Sequence, residues 1–314
     1  MKSRLEAADF LNAFGEYGDE RSELQQGVEH VAGALDFSYR ELDHTEFENC
    51  LLEILKRLQD GTLDPSGSSR LDKWNKGWSE NLAEFVDSSF DTSSLVPKYY
   101  RGSPISRYNG RFIATTSPSF QYDFFQVLRS YITLKFLRDR PHIFEFACGP
   151  GHNIVAMNEI LGGTATYFHG LDWASSSVEI IGKIAEHKGI SCSGRRFDFF
   201  DPDYSLVIPP GSVVLTFGGL EQVGERHGPF LEFLMSKSPA LCINIEPIHE
   251  FYDTRLLLDY LASKYHHGRN YLRNYLSSLV LLEKRGKVEI EKITRVPFGG
   301  MYHEGWSIVV WKPV

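Results

Sequence analysis

Residues 143–153 read Ile-Phe-Glu-Phe-Ala-Cys-Gly-Pro-Gly-His-Asn. A short apolar strand runs through an acid into a turn of small residues, and a helical pattern follows at once. Glycine adopts turn angles that other residues resist, and small side chains let a backbone pass close beneath a ligand. The helix that opens after the turn offers unpaired N–H groups and a positive dipole end. The expected occupant is nucleotide-like. Strand, turn and helix alone would suit a dinucleotide equally well.

Two later segments narrow the choice. Tyr167–Trp173 reads as a second strand ending in Asp172, 23 residues after Gly149. At about that spacing a carboxylate can accept both ribose hydroxyls. A third strand ends near Arg196–Pro202, where Asp198 could accept the exocyclic amine of an adenine, with Phe197 or Phe199 against the ring face. Strands are expected near 142–147, 166–171, 193–197, 212–217 and 240–246. Helices such as Ala174–His187 and Pro229–Lys237 lie between them. This alternation implies a parallel sheet with helices on both faces. Two further helices, Tyr252–Tyr265 and Arg269–Arg285, precede a closing pair of strands at Lys287–Ile293 and Ser307–Trp311.

The ordered set of Glu145-x-Ala147-x-Gly149-x-Gly151, Gly170-Leu171-Asp172-Trp173-Ala174 and Asp198 resembles the class I S-adenosylmethionine-dependent methyltransferases. The resemblance covers residues 140–314. It implies an α/β fold with a Rossmann-like seven-stranded methyltransferase sheet, helices on both faces and the last strand inserted antiparallel between the fifth and sixth. It also implies S-adenosyl-L-methionine as cofactor, held by Glu145, Ala147, Gly149, Gly151, Asp172, Trp173, Asp198 and Phe199. One departure is Ala147, where the family usually has glycine. The expected consequence is slightly less room under the methionine part.

Residues 1–115 are expected to form an N-terminal helical cap and substrate domain, with the methyltransferase domain at 116–314. Leu24–Leu35 and Phe47–Leu58 place apolar residues at three- and four-residue steps, as helices do. Asp64–Ser69 reads as a loop. Trp74 and Trp78 lie four apart on one helical face and are expected to be core. Pro97–Arg111 looks irregular, and Phe120–Leu137 reads as a longer helix. Tyr100 and Arg101 could reach the methionine carboxylate of the cofactor; alternatively Tyr99 and Tyr100 pack between the domains.

Ligands in open α/β sheets bind at the carboxyl ends of the strands. Three segments should border that cleft: Thr216–Gly224, Glu246–Tyr252 and Gly299–Trp306. They are rich in proton-transfer groups. Methyl transfer to a hydroxyl needs a base, and a His or carboxylate near neutral pKa serves. His249 and His303 are the first candidates, with Glu221 as a third catalytic candidate. Gln222, Glu246, Tyr252, Arg269 and Tyr302 are candidates for substrate binding. Glu246 could equally satisfy buried backbone donors. His266-His267 near Arg269 could grip a phosphate or sugar, or simply form a helix–loop–helix corner. Glu221, Glu246, His249 and Glu250 could present oxygen and nitrogen ligands to a metal, although no fixed ligand spacing favours one.

The expected acceptor is a small molecule methylated on oxygen. Trp74-Asn-Lys-Gly-Trp78, Pro97-Lys-Tyr-Tyr-Arg101 and His303-Glu-Gly-Trp306 loosely resemble bacterial sugar O-methyltransferases. Nitrogen methylation stays open, although the Asn/Asp-Pro-Pro-Tyr signature is absent where Thr216-Phe-Gly-Gly219 stands. Two functions of different kinds also stay open: a nicotinamide-dependent oxidoreductase on a Rossmann-like fold, and a non-catalytic cofactor-binding protein.

Composition excludes several partners. The formal charge of −8 without any Lys/Arg run argues against a nucleic-acid footprint. No stretch approaches the roughly 20 apolar residues that span a bilayer. Cys50, Cys148, Cys192 and Cys242 are scattered with no C-x-x-C spacing, which disfavours a cysteine zinc site and fits a reducing cytoplasm. The N-terminus lacks the apolar core of a signal peptide. Cytoplasmic location is therefore expected, and a homo-oligomer stays open.

Overall fold

The computed structural model describes residues 2–17, 22–100, 102, 104–162 and 164–314. In chain order the elements are β1 (Lys2–Arg4), α1 (Ala7–Ala13), α2 (Glu23–Gly33), β2 (Ser38–Glu41), α3 (His44–Gln59), α4 (Leu71–Asp87), β3 (Ile105–Tyr108), β4 (Arg111–Thr115) and α5 (Phe120–Ile132). There follow β5 (His142–Phe146), α6 (His152–Leu161), β6 (Tyr167–Asp172), α7 (Ser175–Lys188), β7 (Cys192–Arg196), β8 (Val213–Phe217), α8 (Gly228–Lys237) and β9 (Leu241–Glu246). The chain closes with α9 (Leu257–Arg269), α10 (Tyr275–Lys284), β10 (Val288–Arg295), β11 (Phe298–Gly300) and β12 (Ser307–Pro313).

The main sheet has seven strands in the order β10-β12-β9-β8-β5-β6-β7. Only β12 runs against its neighbours, β9 and β10. The final strand is thus inserted antiparallel between the fifth and sixth strands of this sheet, as the family resemblance implies. Strand order reverses at β5, which pairs with both β6 and β8. Such a switch point opens a crevice at the carboxyl ends of the strands.

Alternation builds the two cores. Ile143, Val213, Leu215, Ile243, Ile308 and Val310 face one helical layer. Phe144, Phe146, Val214, Cys242, Val309 and Trp311 face the other. A strand buried on both faces reads as a continuous apolar run for this reason. One polar node is closed among them. Asn244 Oδ1 accepts from Tyr275 Oη at 2.6 Å and Trp311 Nε1 at 2.9 Å, while its Nδ2 donates to Thr216 Oγ1 at 3.0 Å.

The N-terminal part is largely helical but also holds strands that the apolar periodicity did not reveal. β1, β2, β4 and β3 join β11 in a second, five-stranded sheet. The segment expected to be irregular contains the β3–β4 hairpin, whose Asn109-Gly110 turn has both residues at positive φ. Asn-Gly is the strongest short hairpin signal, since both residues tolerate that conformation. β11 comes from the loop before β12, so backbone pairing ties the two ends of the chain together. The buried Arg107 guanidinium reinforces this by donating to the carbonyls of Leu258 and Met301.

Two helix boundaries differ from expectation. α9 begins at Leu257 rather than Tyr252, and α10 begins at Tyr275. Asn270 and Asn274 take left-handed angles, which single Asn residues tolerate and a helix does not. They break the expected second helix into a corner and a shorter helix.

Candidate functional site

The loop after β5 has an alternating left-handed backbone: φ is +56° at Ala147, +52° at Gly149 and +74° at Gly151. For alanine that conformation costs roughly 1–2 kcal/mol. The loop is held by its amides. Cys148 N donates to Leu171 O at 3.0 Å, and Gly149 N donates to Asp172 Oδ2 at 2.9 Å. Ala147 is accommodated by a second glycine. A Cβ on Gly219, just past β8, would stand 2.3 Å from the Ala147 Cβ.

Above this loop lies a narrow cavity of ≈ 70 Å³. Ala147, Asp172, Trp173, Phe199, Gly219 and Gln222 are among its walls, together with Trp74, Trp78 and Tyr99 from the N-terminal part. It sits at the carboxyl ends of β5, β6, β7 and β8, where the switch point predicts a ligand. The indoles of Trp74 and Trp78 stack with centroids 5.3 Å apart. Trp78 Cζ2 lies 3.0 Å from where a Cβ on Gly149 would stand. The two tryptophans expected to be core therefore roof the glycine loop. Helical spacing showed that they share a face but not what that face covers.

Asp172 is buried, yet it borders the cavity. Its Oδ2 holds Gly149 N, and its Oδ1 accepts from Ala174 N at 2.9 Å. Burial pushes its pKa up to about 6 against these hydrogen bonds. Asp172 thus organises the loop as well as facing the ligand space. Trp173 and Phe199 stand on the aromatic side of the cavity with Phe197, Phe200 and Phe217. Asp198 is a departure from expectation. It accepts from Phe200 N at 2.8 Å and is not among the cavity walls, because it closes the turn that presents the phenylalanines.

On the other side of the loop a buried polar chain runs Arg129–Asn153–Glu145. Arg129 Nη1 donates to Asn153 Oδ1 at 3.0 Å, and Asn153 Nδ2 donates to Glu145 Oε1 at 2.7 Å. Glu145 Oε2 has no partner, and burial lifts the carboxyl pKa to about 8. Both ring nitrogens of His152 are also without partners, and burial pushes its pKa well down. Tyr100 packs against Tyr122, Phe125 and His152. Arg101 lies outside the described residues. Arg129, Asn153 and His152 were missed in the sequence, where they look like ordinary helix residues.

At the β8 and β9 ends the carboxylates divide their roles. Glu246 is fully buried and accepts from the backbone amides of Gly219, Leu220 and Glu221 at 3.2, 3.1 and 3.0 Å. This corrects its assignment to substrate binding: it caps the turn that carries Glu221. Burial and the nearby Glu246 raise the Glu221 pKa to about 8. Glu221 accepts from Gln222 Nε2 at 2.7 Å. Gln222 Oε1 accepts from Ser66 Oγ and Arg70 Nη1, both at 3.0 Å. Arg269 lies nearby with its guanidinium 5.0 Å from the Tyr271 ring centroid.

The histidines expected to act as bases are placed elsewhere. His249 Nε2 meets Ser263 Oγ at 3.0 Å, and the ring packs against His267. His303 Nδ1 meets the Glu304 carbonyl at 2.8 Å. Burial pushes His303 down to about 4 and lowers His249. Neither borders the cavity. Tyr252 Oη meets His266 in the same cluster, and Tyr302 Oη donates to Glu53 at 3.1 Å. Tyr252 and Tyr302 are likewise absent from the cavity walls. Glu304 pairs with Arg295, which also grips Asp259. The carboxylates and imidazoles crowded in these loops are thus spent on mutual packing. Among the described residues no group of three or more His, Cys, Asp or Glu could hold a metal ion. No helix among them is long and apolar enough to cross a membrane.

No protein-family model matches the chain, and no curated protein does. Solved structures do. The chain is similar to the 4+2 cyclase SpnF at TM-score 0.50 and 11% identity, over 80% of this chain and 97% of that one. It is also similar to a SAM dependent methyltransferase from Aquifex aeolicus at TM-score 0.40 and 13% identity, over 72% and 99% of the two chains. A match to LaPhzM has TM-score 0.42 and 15% identity, over 63% of this chain and 59% of that one. With its strand order and its antiparallel closing strand, the chain has the fold of the class I S-adenosylmethionine-dependent methyltransferases.

Proposed function

We propose that the protein is an S-adenosylmethionine-dependent methyltransferase acting on a hydroxyl of a small molecule. One observation carries this reading. The left-handed loop at 147–151 underlies a cavity with Asp172 and an aromatic wall on one side, and behind the loop a buried Glu145 oxygen waits without a partner. A nucleoside with an amino-acid tail matches that order of surfaces. Phe199 and Trp173 would pack the base, Asp172 would accept the ribose hydroxyls, and Glu145 would accept from the ammonium group. The fold alone does not specify the reaction, since unrelated chemistries share folds.

S-adenosylmethionine supplies a methyl group activated on a sulfonium. The chain's own task is to align the acceptor and take its proton. Alignment can contribute several kcal/mol, about 7–11 at best. Glu221 is taken as the base in preference to His249 and His303: it is not itself among the cavity walls, but it is hydrogen-bonded to Gln222, which is. Its raised pKa lies near neutrality, where a general base works best. Gln222, which borders the cavity and is bonded to Glu221, would position the acceptor. Supporting a small acceptor is the roof of Trp74, Trp78 and Tyr99, which covers the cavity with the chain's own residues.

The test is calorimetric titration with S-adenosylhomocysteine, with NAD as control. Micromolar binding of the first and silence with the second is the expected result. Binding of NAD alone would overturn the reading. Transfer of labelled methyl to hydroxylated acceptors, lost in Glu221→Gln with S-adenosylhomocysteine affinity retained, would separate catalysis from cofactor binding.

A further inference from the structure

Two arginines flank the Glu221–Gln222 turn with charge that the protein does not fully spend. Arg70 is 7% exposed and stands at the start of α4. A cation there opposes the positive end of the helix dipole, so it does not serve the helix. Its Nη1 donates to Gln222, while its Nε has no hydrogen-bond partner. That Nε stands 3.5 Å from Asp64 Oδ2, an ion pair it shares with Lys73 at 2.8 Å. Arg269 is half-buried. Its Nη2 donates to Tyr271 Oη at 3.1 Å, its Nε is buried without a partner, and no ion pair forms to it among the described residues. Both arginines feel the Glu221 carboxyl, yet Arg269 meets no carboxylate at ion-pair distance among the described residues, so a ligand anion there would offset the cost of burying its charge.

The two arginines are brought together by one knot of hydrogen bonds. Ser66 N donates to Arg269 O at 2.7 Å, and Asn270 Nδ2 donates to Ser66 O at 2.9 Å. Ser66 Oγ and Arg70 Nη1 then converge on Gln222 Oε1. Gln222 borders the cavity, so this donor-rich knot adjoins the ligand space. Each guanidinium also lies over an aromatic ring, Arg70 at 5.2 Å from Trp74 and Arg269 at 5.0 Å from Tyr271. Flat walls and forked donors suit a planar anion.

We propose that Arg70 and Arg269 form an anion subsite that recognises the carboxylate of a hydroxy-acid acceptor and sets its hydroxyl beside Glu221. The proposal rests on the methyltransferase reading above. A carboxylate is preferred to a phosphate ester because a second negative charge would face Glu221.

The test uses full-length protein saturated with S-adenosylhomocysteine. Calorimetry compares 4-hydroxybenzoate with 4-hydroxybenzamide and 4-hydroxyphenyl phosphate, and glucuronate with glucuronamide. At least one acid should bind about tenfold or more tightly than its amide, as a paired charge-assisted contact gives. Arg269→Gln should reduce that preference to within about threefold while S-adenosylhomocysteine affinity stays unchanged. Arg70→Gln, monitored by thermal melting, provides the second arm. The proposal is overturned if no acid outbinds its amide, if the phosphate ester binds best, or if the preference survives both substitutions. Failure of S-adenosylhomocysteine to bind the wild-type protein would instead overturn the cofactor reading.

Discussion

Ala147 and Gly219 form a pair that can be inverted. Gly219 has ordinary helical angles, φ −98° and ψ −37°, so a substitution there meets no backbone strain. The obstacle is contact alone. A Cβ at 219 would stand 2.3 Å from the Ala147 Cβ, whereas carbon atoms settle at about 3.5–4.0 Å. The overlap exceeds about 1 Å in a loop fixed by the Asp172 and Leu171 hydrogen bonds. Overpacking of this kind costs about 1–3 kcal/mol, which lowers Tm by roughly 2–4 °C per kcal/mol in a domain somewhat smaller than this chain. Shifts of about 1 Å in a positioning loop can also cost about 100-fold in rate. Gly219→Ala should therefore melt several degrees lower and bind S-adenosylhomocysteine at least about tenfold more weakly. Ala147→Gly removes both the left-handed alanine and the clashing methyl. Alone it should be near neutral, because relief of about 1 kcal/mol is offset by a more flexible unfolded chain. In the double variant it should restore most of what Gly219→Ala loses. Thermal melting and calorimetry on the four proteins give the cycle. A Gly219→Ala protein that melts and binds like wild type, or a double variant no better than that single one, would refute the steric coupling.

Further outcomes follow from the same site. Asp172→Ala should weaken S-adenosylhomocysteine binding at least about tenfold, since it frees two loop amides as well as removing a carboxylate; retained affinity would count against the placement of the ribose. The cavity of ≈ 70 Å³ is smaller than nucleotide ligands need, about 300 Å³ or more, so Trp74 and Trp78 should shift on binding. Tryptophan emission should change as S-adenosylhomocysteine saturates, and the change should shrink in Trp78→Phe; an unchanged spectrum at saturation would disprove a moving roof. The folded-state pKa values of Glu145, Glu221 and Glu246, about 8, 8 and 7, stand above the unfolded reference of 4.5. The native state then holds extra protons across that interval, so stability falls as pH rises. Buried His152 and His266 and half-buried His303 oppose this only below their unfolded value of 6.5. Tm should therefore decline between pH 6.5 and 8, and Glu145→Gln should flatten the decline; a Tm that rises across the window would contradict the burial of these carboxyls.

The main sheet and its cofactor-side loop were legible because their signals are local. Strands buried on both faces show as apolar runs, and a left-handed turn needs glycine or a small residue wherever the fold goes next. Gly149, Gly151 and Asp172 could be located from turn chemistry and spacing, and Glu145 from the family resemblance. The β3–β4 hairpin was also encoded locally, in Asn109-Gly110, but its short strands pair with β2 and with β11 from the far end of the chain. No local pattern announces such partners.

The acceptor side had to await tertiary structure. Histidines and carboxylates in strand-end loops look alike in sequence, whether they face a cavity or one another. Burial decided that His249 and His303 pack into a cluster with Ser263 and His266, that Glu246 caps a turn, and that Glu304 is paired with Arg295. It also brought Trp74 and Trp78 over a loop about seventy residues further along the chain, and Arg70 to Gln222, 152 residues on. The sequence by itself determined the parallel sheet, the glycine loop and the acid beside it, because backbone angles and alternation are properties of neighbouring residues. Tertiary structure alone decided which polar groups reach the ligand, because that depends on which distant segments exclude water from them.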